Sequence, residues 1–157
     1  MRFTAQEEYG LRCMLQLARR APTPAESLSM AEIAEAESLT PAYVAKLLRT
    51  LRTAGLVDAT RGQKGGYRLT RPAAEVSVGE VLVALGGRLY TPEFCARHPG
   101  NDASCVHSTD CSIRSLWGRV DGLVHSVLDR TMLSDLAAAH APPAPTPLPV
   151  IRSSSAR

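Results

Sequence analysis

The sequence predicts a mainly helical fold interrupted by one small β wing, and three observations carry that expectation. Successive segments place apolar residues at helical spacing behind capping residues. Between residues 56 and 70 the pattern turns extended around a glycine-rich tip, Arg61-Gly62-Gln63-Lys64-Gly65-Gly66. A last apolar stripe, from Ser112 to about Asp129, is long and strongly one-sided. With 157 residues, 45% of them hydrophobic, the chain has enough apolar material for one domain and a real core. Aromatics make up only 4%, which disfavours a base-stacking platform for single-stranded nucleic acid. Glu7, Glu8 and Arg12 interrupt any leader-like apolar run, and no run reaches membrane length, so a cytoplasmic protein without a membrane partner is expected.

Taken in order, Thr4 and Glu7 stand in capping-box register and open a first helix, Thr4 to Arg19, with Leu11, Met14, Leu15 and Ala18 as its buried stripe. Cys13 neighbours that stripe and reads as a small buried residue. Pro22 and Pro24 break the chain, and Ser29 with Glu32 starts a short second helix, about Met30 to Ala36. After a turn at 37–39, Thr40 caps a third helix, Pro41 suits its first position and Gly55 stops it. Val44, Leu47, Leu48 and Leu51 form its apolar stripe, while Tyr43, Lys46, Arg49 and Arg52 stay off it. The second and third helices therefore make a helix-turn-helix, and strands 56–60 and 67–70 add a wing directly behind it.

Charge is concentrated on this unit. Residues 40–70 hold six basic side chains (Lys46, Arg49, Arg52, Arg61, Lys64 and Arg68) against one acidic, Asp58, a net of +5 in a chain of net +3. A basic face by itself is commonly only a solvated surface. A helix, a glycine stop and a glycine-tipped basic hairpin in that order form a shape that can straddle double-stranded DNA, helix in the major groove and wing along the backbone.

Beyond the wing, Ser77 and Glu80 cap another helix bearing Val78, Val81, Leu82 and Leu85, which ends at Gly86-Gly87. Leu89 to Asp110 shows little periodicity and reads as a long loop, a length usually reserved for function or disorder. It holds Cys95, His98, Cys105 and His107, with Cys111 just after it. The stripe that follows, Ile113, Leu116, Trp117, Val120, Val124, Val127 and Leu128 widened by Leu123, is too apolar to leave in water. Paired helix-turn-helix units commonly read two half-sites, so this helix is expected to pack against its twin in a homodimer; the other reading is that it covers its own core. Thr131 begins a short final helix through His140, and the Pro/Ser-rich tail is expected to be disordered. The division expected is residues 1–88 for DNA binding, 89–111 for a cysteine-rich loop, 112–140 for the dimerisation and terminal helices, and 141–157 for the tail.

The opening Met1-Arg2-Phe3-Thr4, the run Leu51-Arg52-Thr53-Ala54-Gly55-Leu56-Val57, the wing Arg61 to Leu69 and the late cysteine cluster together resemble the IscR and NsrR family of bacterial winged-helix regulators. The likeness covers about residues 1 to 140. It implies a homodimeric transcription regulator, a repressor by expectation, with an iron-sulfur cluster, 2Fe-2S or 4Fe-4S, sensing redox, nitric oxide or iron-sulfur status at three cysteines between wing and dimerisation helix. By position these are Cys95, Cys105 and Cys111. Where the IscR branch has a histidine, three residues past the last cysteine, this chain has Arg114, which cannot ligate because its guanidinium stays protonated. The NsrR branch implies an acidic fourth ligand from helix 1 of the other subunit, which corresponds to Glu8, with His107 as the next candidate. The resemblance also points to Tyr43, Lys46, Arg49, Arg52, Arg61, Lys64, Gly65 and Gly66 for DNA binding.

Two other readings of the cysteine segment stand beside the cluster. Cys95 and His98 have C-x2-H spacing, and with Cys105, His107 and Cys111 nearby a tetrahedral zinc site could be assembled; without any metal, the cysteines could serve as a thiol switch. A cysteine nucleophile with a histidine partner, Cys105 with His107, would make an enzyme. That reading lacks an orienting group and an oxyanion site, so no enzyme is expected.

Overall fold

The structure is a computed structural model that describes residues 3–60, 65–91, 93–101, 105, 107 and 110–138. Arg61 and Lys64, His140 and the tail lie outside the described residues. Capping chemistry sets the helix starts where the sequence predicts them. Helix α1 spans Ala5–Arg20 behind Thr4, whose backbone N–H donates to Glu7 while the Glu7 N–H donates back to Thr4 Oγ1 at 3.2 Å. The same reciprocal box, Ser29 with Glu32 and Ser77 with Glu80, opens α2 (Met30–Glu37) and α4 (Val78–Ala84). Helix α3 spans Pro41–Thr53; Thr40 Oγ1 accepts from the Tyr43 N–H at 3.4 Å, and proline occupies the first turn. Ser38, left-handed at φ 54°, turns the chain between α2 and α3, and Gly55 at φ 76° releases it from α3 into the wing.

Helix α1 is the centre of the core, contacted by α2, α3, α4 and elements further along the chain. Its fully buried side chains are Cys13, Met14 and Leu17, whereas Leu11 and Leu15, expected in the buried stripe, are only half-buried. The apolar stripe misjudges the burial because α1 is wrapped by neighbours on several sides, so their placement selects the covered face. From α3 the stripe is as predicted: Val44, Leu47, Leu48 and Leu51 are all at most 1% exposed, each contributing about 2 kcal/mol of burial.

The wing is a two-stranded antiparallel sheet, β1 (Val57–Thr60) and β2 (Gly66–Leu69), with Val57 opposite Leu69 and Thr60 opposite Gly66. Val57 and Leu69 bury the root of the wing in the core. Leu28 and Tyr67 exchange two backbone hydrogen bonds, 2.9 and 2.7 Å, so the segment before α2 adds one rung to the sheet.

Beyond α4 the expected structureless loop contains one short helix, α5 (Glu93–Arg97), which corrects the reading of 89–110 as without regular structure. Aromatic neighbours mark this turn: Phe94 is 6.3 Å from the Tyr90 ring and stacks on His98 at 4.3 Å. Helix α6 spans Ser112–Leu128 and α7 spans Leu133–Ala138. The chain returns to its own domain after α6: the Val78 N–H donates to Thr131 O (2.8 Å), the Leu133 N–H donates to Val76 O (2.9 Å), and Leu133 is fully buried against α1. No helix among the described residues is long and apolar enough to cross a membrane.

Candidate nucleic-acid interface and cysteine centre

Helix α3 presents its outer face beside the wing. A groove of about 460 Å³ runs between them, lined by Ala42, Ala45, Lys46, Arg49, Arg52 and Tyr67. Lys46, Arg49 and Arg52 are exposed, so their charge faces solvent where a phosphate backbone would lie. Tyr43 is half-buried, its ring edge-on to Tyr9 with centroids 6.0 Å apart. Part of the positive charge counted from sequence is used internally. Arg68 donates to Asp58 Oδ2 and to Pro24 O, both at 3.2 Å, and Arg52 lies 3.9 Å from Asp58 Oδ1. The Asp58 carboxyl is held below its usual range, first by the Ala59 backbone N–H and then by the Arg68 guanidinium. Arg68 is therefore a strut for the wing, and the open charge of the groove is that of α3.

Two residues that sequence reasoning did not single out shape this face. Tyr67 lines the groove from β2, and its place in the wing motif beside two glycines was the available signal. Glu37, at the end of α2, is buried and accepts from Arg12 Nε at 2.5 Å and Gln16 Nε2 at 2.6 Å, which fastens the helix-turn-helix to α1. Its partners are 25 and 21 residues distant, so no local pattern announced them.

The cysteine segment gathers around Arg114 in the first turn of α6. Cys111 is the N-cap of α6, its Sγ accepting from the Arg114 backbone N–H at 3.3 Å. Cys95, on α5, lies 3.3 Å from the Tyr90 hydroxyl, and the Arg114 guanidinium, whose charge acts on its sulfur, reaches the His107 carbonyl at 3.5 Å. The Cys95 thiol is accordingly lowered from its ordinary value, first by the Tyr90 hydrogen bond and then by Arg114, and the same bond raises the Tyr90 hydroxyl. Cys105 is half-buried. Cys13 is different in kind: burial in the core pushes its thiol up to about 11, so it is an inert packing residue, as expected. His98 is exposed and its Nδ1 lies 2.9 Å from Phe94 O, which ties one ring nitrogen to α5. Glu8 is exposed on α1.

Three half-buried free thiols, two of them beside the Arg114 cation, form a donor set that suits soft-metal or cluster chemistry. Among the described residues no group of three His, Cys, Asp or Glu side chains is placed to hold a metal ion.

The Rrf2 family profile, described as iron-dependent transcriptional regulators, matches residues 3–139. The regulator IscR of Vibrio atlanticus is 30% identical over 139 residues, 87% of this chain and 75% of that protein. The structure of CymR, the global cysteine regulator of B. subtilis, superposes with TM-score 0.67 at 29% identity, covering 87% of this chain and 96% of that one. The oxidized form of Staphylococcus aureus CymR gives TM-score 0.65 at 31% identity over 90% and 100% of the two chains.

Proposed function

The chain belongs to the Rrf2 family of transcriptional regulators, and from that premise we propose a homodimer of the IscR and NsrR kind that represses from a double-stranded DNA operator under the control of its cysteine segment. The groove between α3 and the wing carries the DNA part of this reading, because it sets exposed Lys46, Arg49 and Arg52 along one face. Tyr43 joins them from the start of α3, Gly65 and Gly66 let the wing backbone approach phosphates, and Arg61 and Lys64 belong to the wing tip. Residues 1–88 bind DNA, 89–111 sense, 112–140 dimerise, and 141–157 form the tail.

In this reading Cys95, Cys105 and Cys111 of one subunit and Glu8 of the partner subunit hold an iron-sulfur cluster. The family's description as iron-dependent and the three-thiol donor set support it. When bound, the cluster supplies a centre that reacts with oxidants and nitric oxide. The chain's own contribution is positional: Cys111 stands at the start of α6, Cys95 on α5, and Arg114 places positive charge beside the thiolates. A ligand from the partner would couple the occupancy of the site to dimer geometry, hence to the spacing of the two α3 helices.

The test is the ultraviolet-visible spectrum, iron and acid-labile sulfide of anaerobically purified protein and of Cys105→Ala. Both forms are titrated with a duplex selected from a random-sequence library. Visible charge-transfer bands lost in the variant, with duplex affinity that differs between loaded and unloaded protein, are expected. A colourless, sulfide-free protein after anaerobic reconstitution would overturn the cluster. A second reading is favoured by the lowered Cys95 thiol and by the likeness to an oxidized CymR: a metal-free thiol switch, which would show a duplex affinity that changes on mild peroxide treatment of the colourless protein.

A further inference from the structure

A carboxylate in the middle of α6 ties the cysteine segment to the DNA-binding unit. Asp121 is only 7% exposed although it lies on a helix that leaves Ile113, Leu116, Trp117, Leu123 and Val127 exposed. Its Oδ1 accepts from the Tyr90 backbone N–H at 3.3 Å, and its Oδ2 pairs with Arg88 at 3.3 Å. His125, one turn on and 6% exposed, places Nε2 3.6 Å from Asp121 Oδ1 and Nδ1 3.9 Å from Asp129. His125 also lines a cavity of about 230 Å³ shared with Phe3 and Glu7 at the start of α1. On its other side, Tyr90 places its hydroxyl on Cys95.

From this continuous set of contacts we propose that Asp121 is a positioning residue that couples the Cys95 segment to the orientation of the DNA-binding unit on α6. The proposal rests on the reading that the cysteine segment controls DNA binding. A buried carboxylate holds its place only while paired. Movement of the Tyr90 backbone when Cys95 changes partners therefore reaches Arg88, at the exit of α4, and His125, which faces Phe3 and Glu7 across the cavity, through one side chain. Of the apolar side chains of α6, Ile113 and Leu116 are exposed, while Trp117 and Val120 line a groove with Leu89, Tyr90 and Phe94, so the polar link through Asp121 runs beside an apolar one.

Coupling is reciprocal, so DNA must alter the surroundings of Cys95. The experiment measures the rate of Cys95 alkylation by iodoacetamide, resolved by peptide mass spectrometry, in the reduced full-length chain with and without the duplex selected from a random library. A wild-type rate changed by about fivefold or more on DNA binding is expected, and Asp121→Asn should bring the two rates within about twofold of each other while still binding the duplex. A DNA effect kept intact in Asp121→Asn overturns Asp121 as the coupling residue and leaves the control of DNA binding by the cysteine segment standing; direct shielding of Cys95 by DNA would give this result. Absence of any DNA effect in the wild type overturns both. If Asp121→Asn fails to fold, Arg88→Gln, at a half-exposed site, carries the same expectation and the same refutation.

Discussion

Gly66 illustrates how much a single position can specify. The Gly-Gly pair reads from sequence as part of a hairpin tip that lies along the DNA backbone, but the structure gives Gly66 a second reason: a Cβ there would run into the backbone carbonyl of Leu28, where the segment before α2 joins the wing. Backbone cannot yield as a side-chain end can. Gly66→Ala should therefore destabilise the protein by about 1–3 kcal/mol, read as a lower midpoint in chemical denaturation, and should weaken duplex binding by displacing the wing. A variant with unchanged midpoint and affinity would remove the close approach as a constraint. Cys13 and Cys95 make the complementary point, since the same side chain is inert in the core and activated beside Tyr90 and Arg114.

At the scale of elements, the capping boxes were legible because each is a local code of a serine or threonine followed three residues later by glutamate. Ser29 with Glu32 and Ser77 with Glu80 both hold the glutamate below its ordinary value of 4.5, chiefly through the serine backbone N–H. Glutamates lowered in the folded state stabilise it above their unfolded value, and that contribution disappears as pH falls through the folded value. The thermal midpoint is thus expected to be level from neutral pH to about 5 and to fall below 4.5, with Asp58 adding to the loss further down. Ser77→Ala should cost about 1 kcal/mol at neutral pH, and the cost should shrink in acid as Glu80 becomes protonated. A pH-independent penalty would disprove the coupling of cap and carboxylate. Helix α5 was not legible: five residues bounded by loop carry too little periodicity, and stacking of Phe94 between Tyr90 and His98 supplies what the pattern lacks.

For the whole molecule, the decisive feature is that α6 leaves much of its apolar stripe in solvent while burying two polar side chains. Ile113 is 62% exposed, Leu116 52% and Trp117 49%, while Asp121 and His125 are buried. A sequence stripe says that an apolar face will be covered but not by what, and among the described residues Val120, Val124 and Leu128 are half-buried while Ile113, Leu116, Trp117, Leu123 and Val127 stay exposed. A contiguous patch of this kind marks an association surface. The double variant Leu116→Glu with Trp117→Glu is expected to shift the protein from dimer to monomer in analytical ultracentrifugation. Duplex affinity should fall by about tenfold or more, because two half-sites are no longer read together, and the thermal midpoint of the single chain should change little, since neither side chain contributes to its core. A dimer unchanged by both charges would place the interface elsewhere.

The sequence by itself determined the helix starts, the glycine stop, the wing and the basic face, because each depends on residues within a few positions of one another: caps, a 3.6-residue stripe, a turn. It also held the thiols that make the second half of the chain a candidate sensor. Only the tertiary structure decided that Glu37 locks α2 to α1, that Asp58 takes up part of the wing's charge, that Arg114 stands between two cysteines, and that Asp121 lies inside while Ile113, Leu116 and Trp117 lie outside. These arrangements join groups far apart in the chain. Their energies come from burying and pairing charge in three dimensions, a quantity that no local window of residues contains.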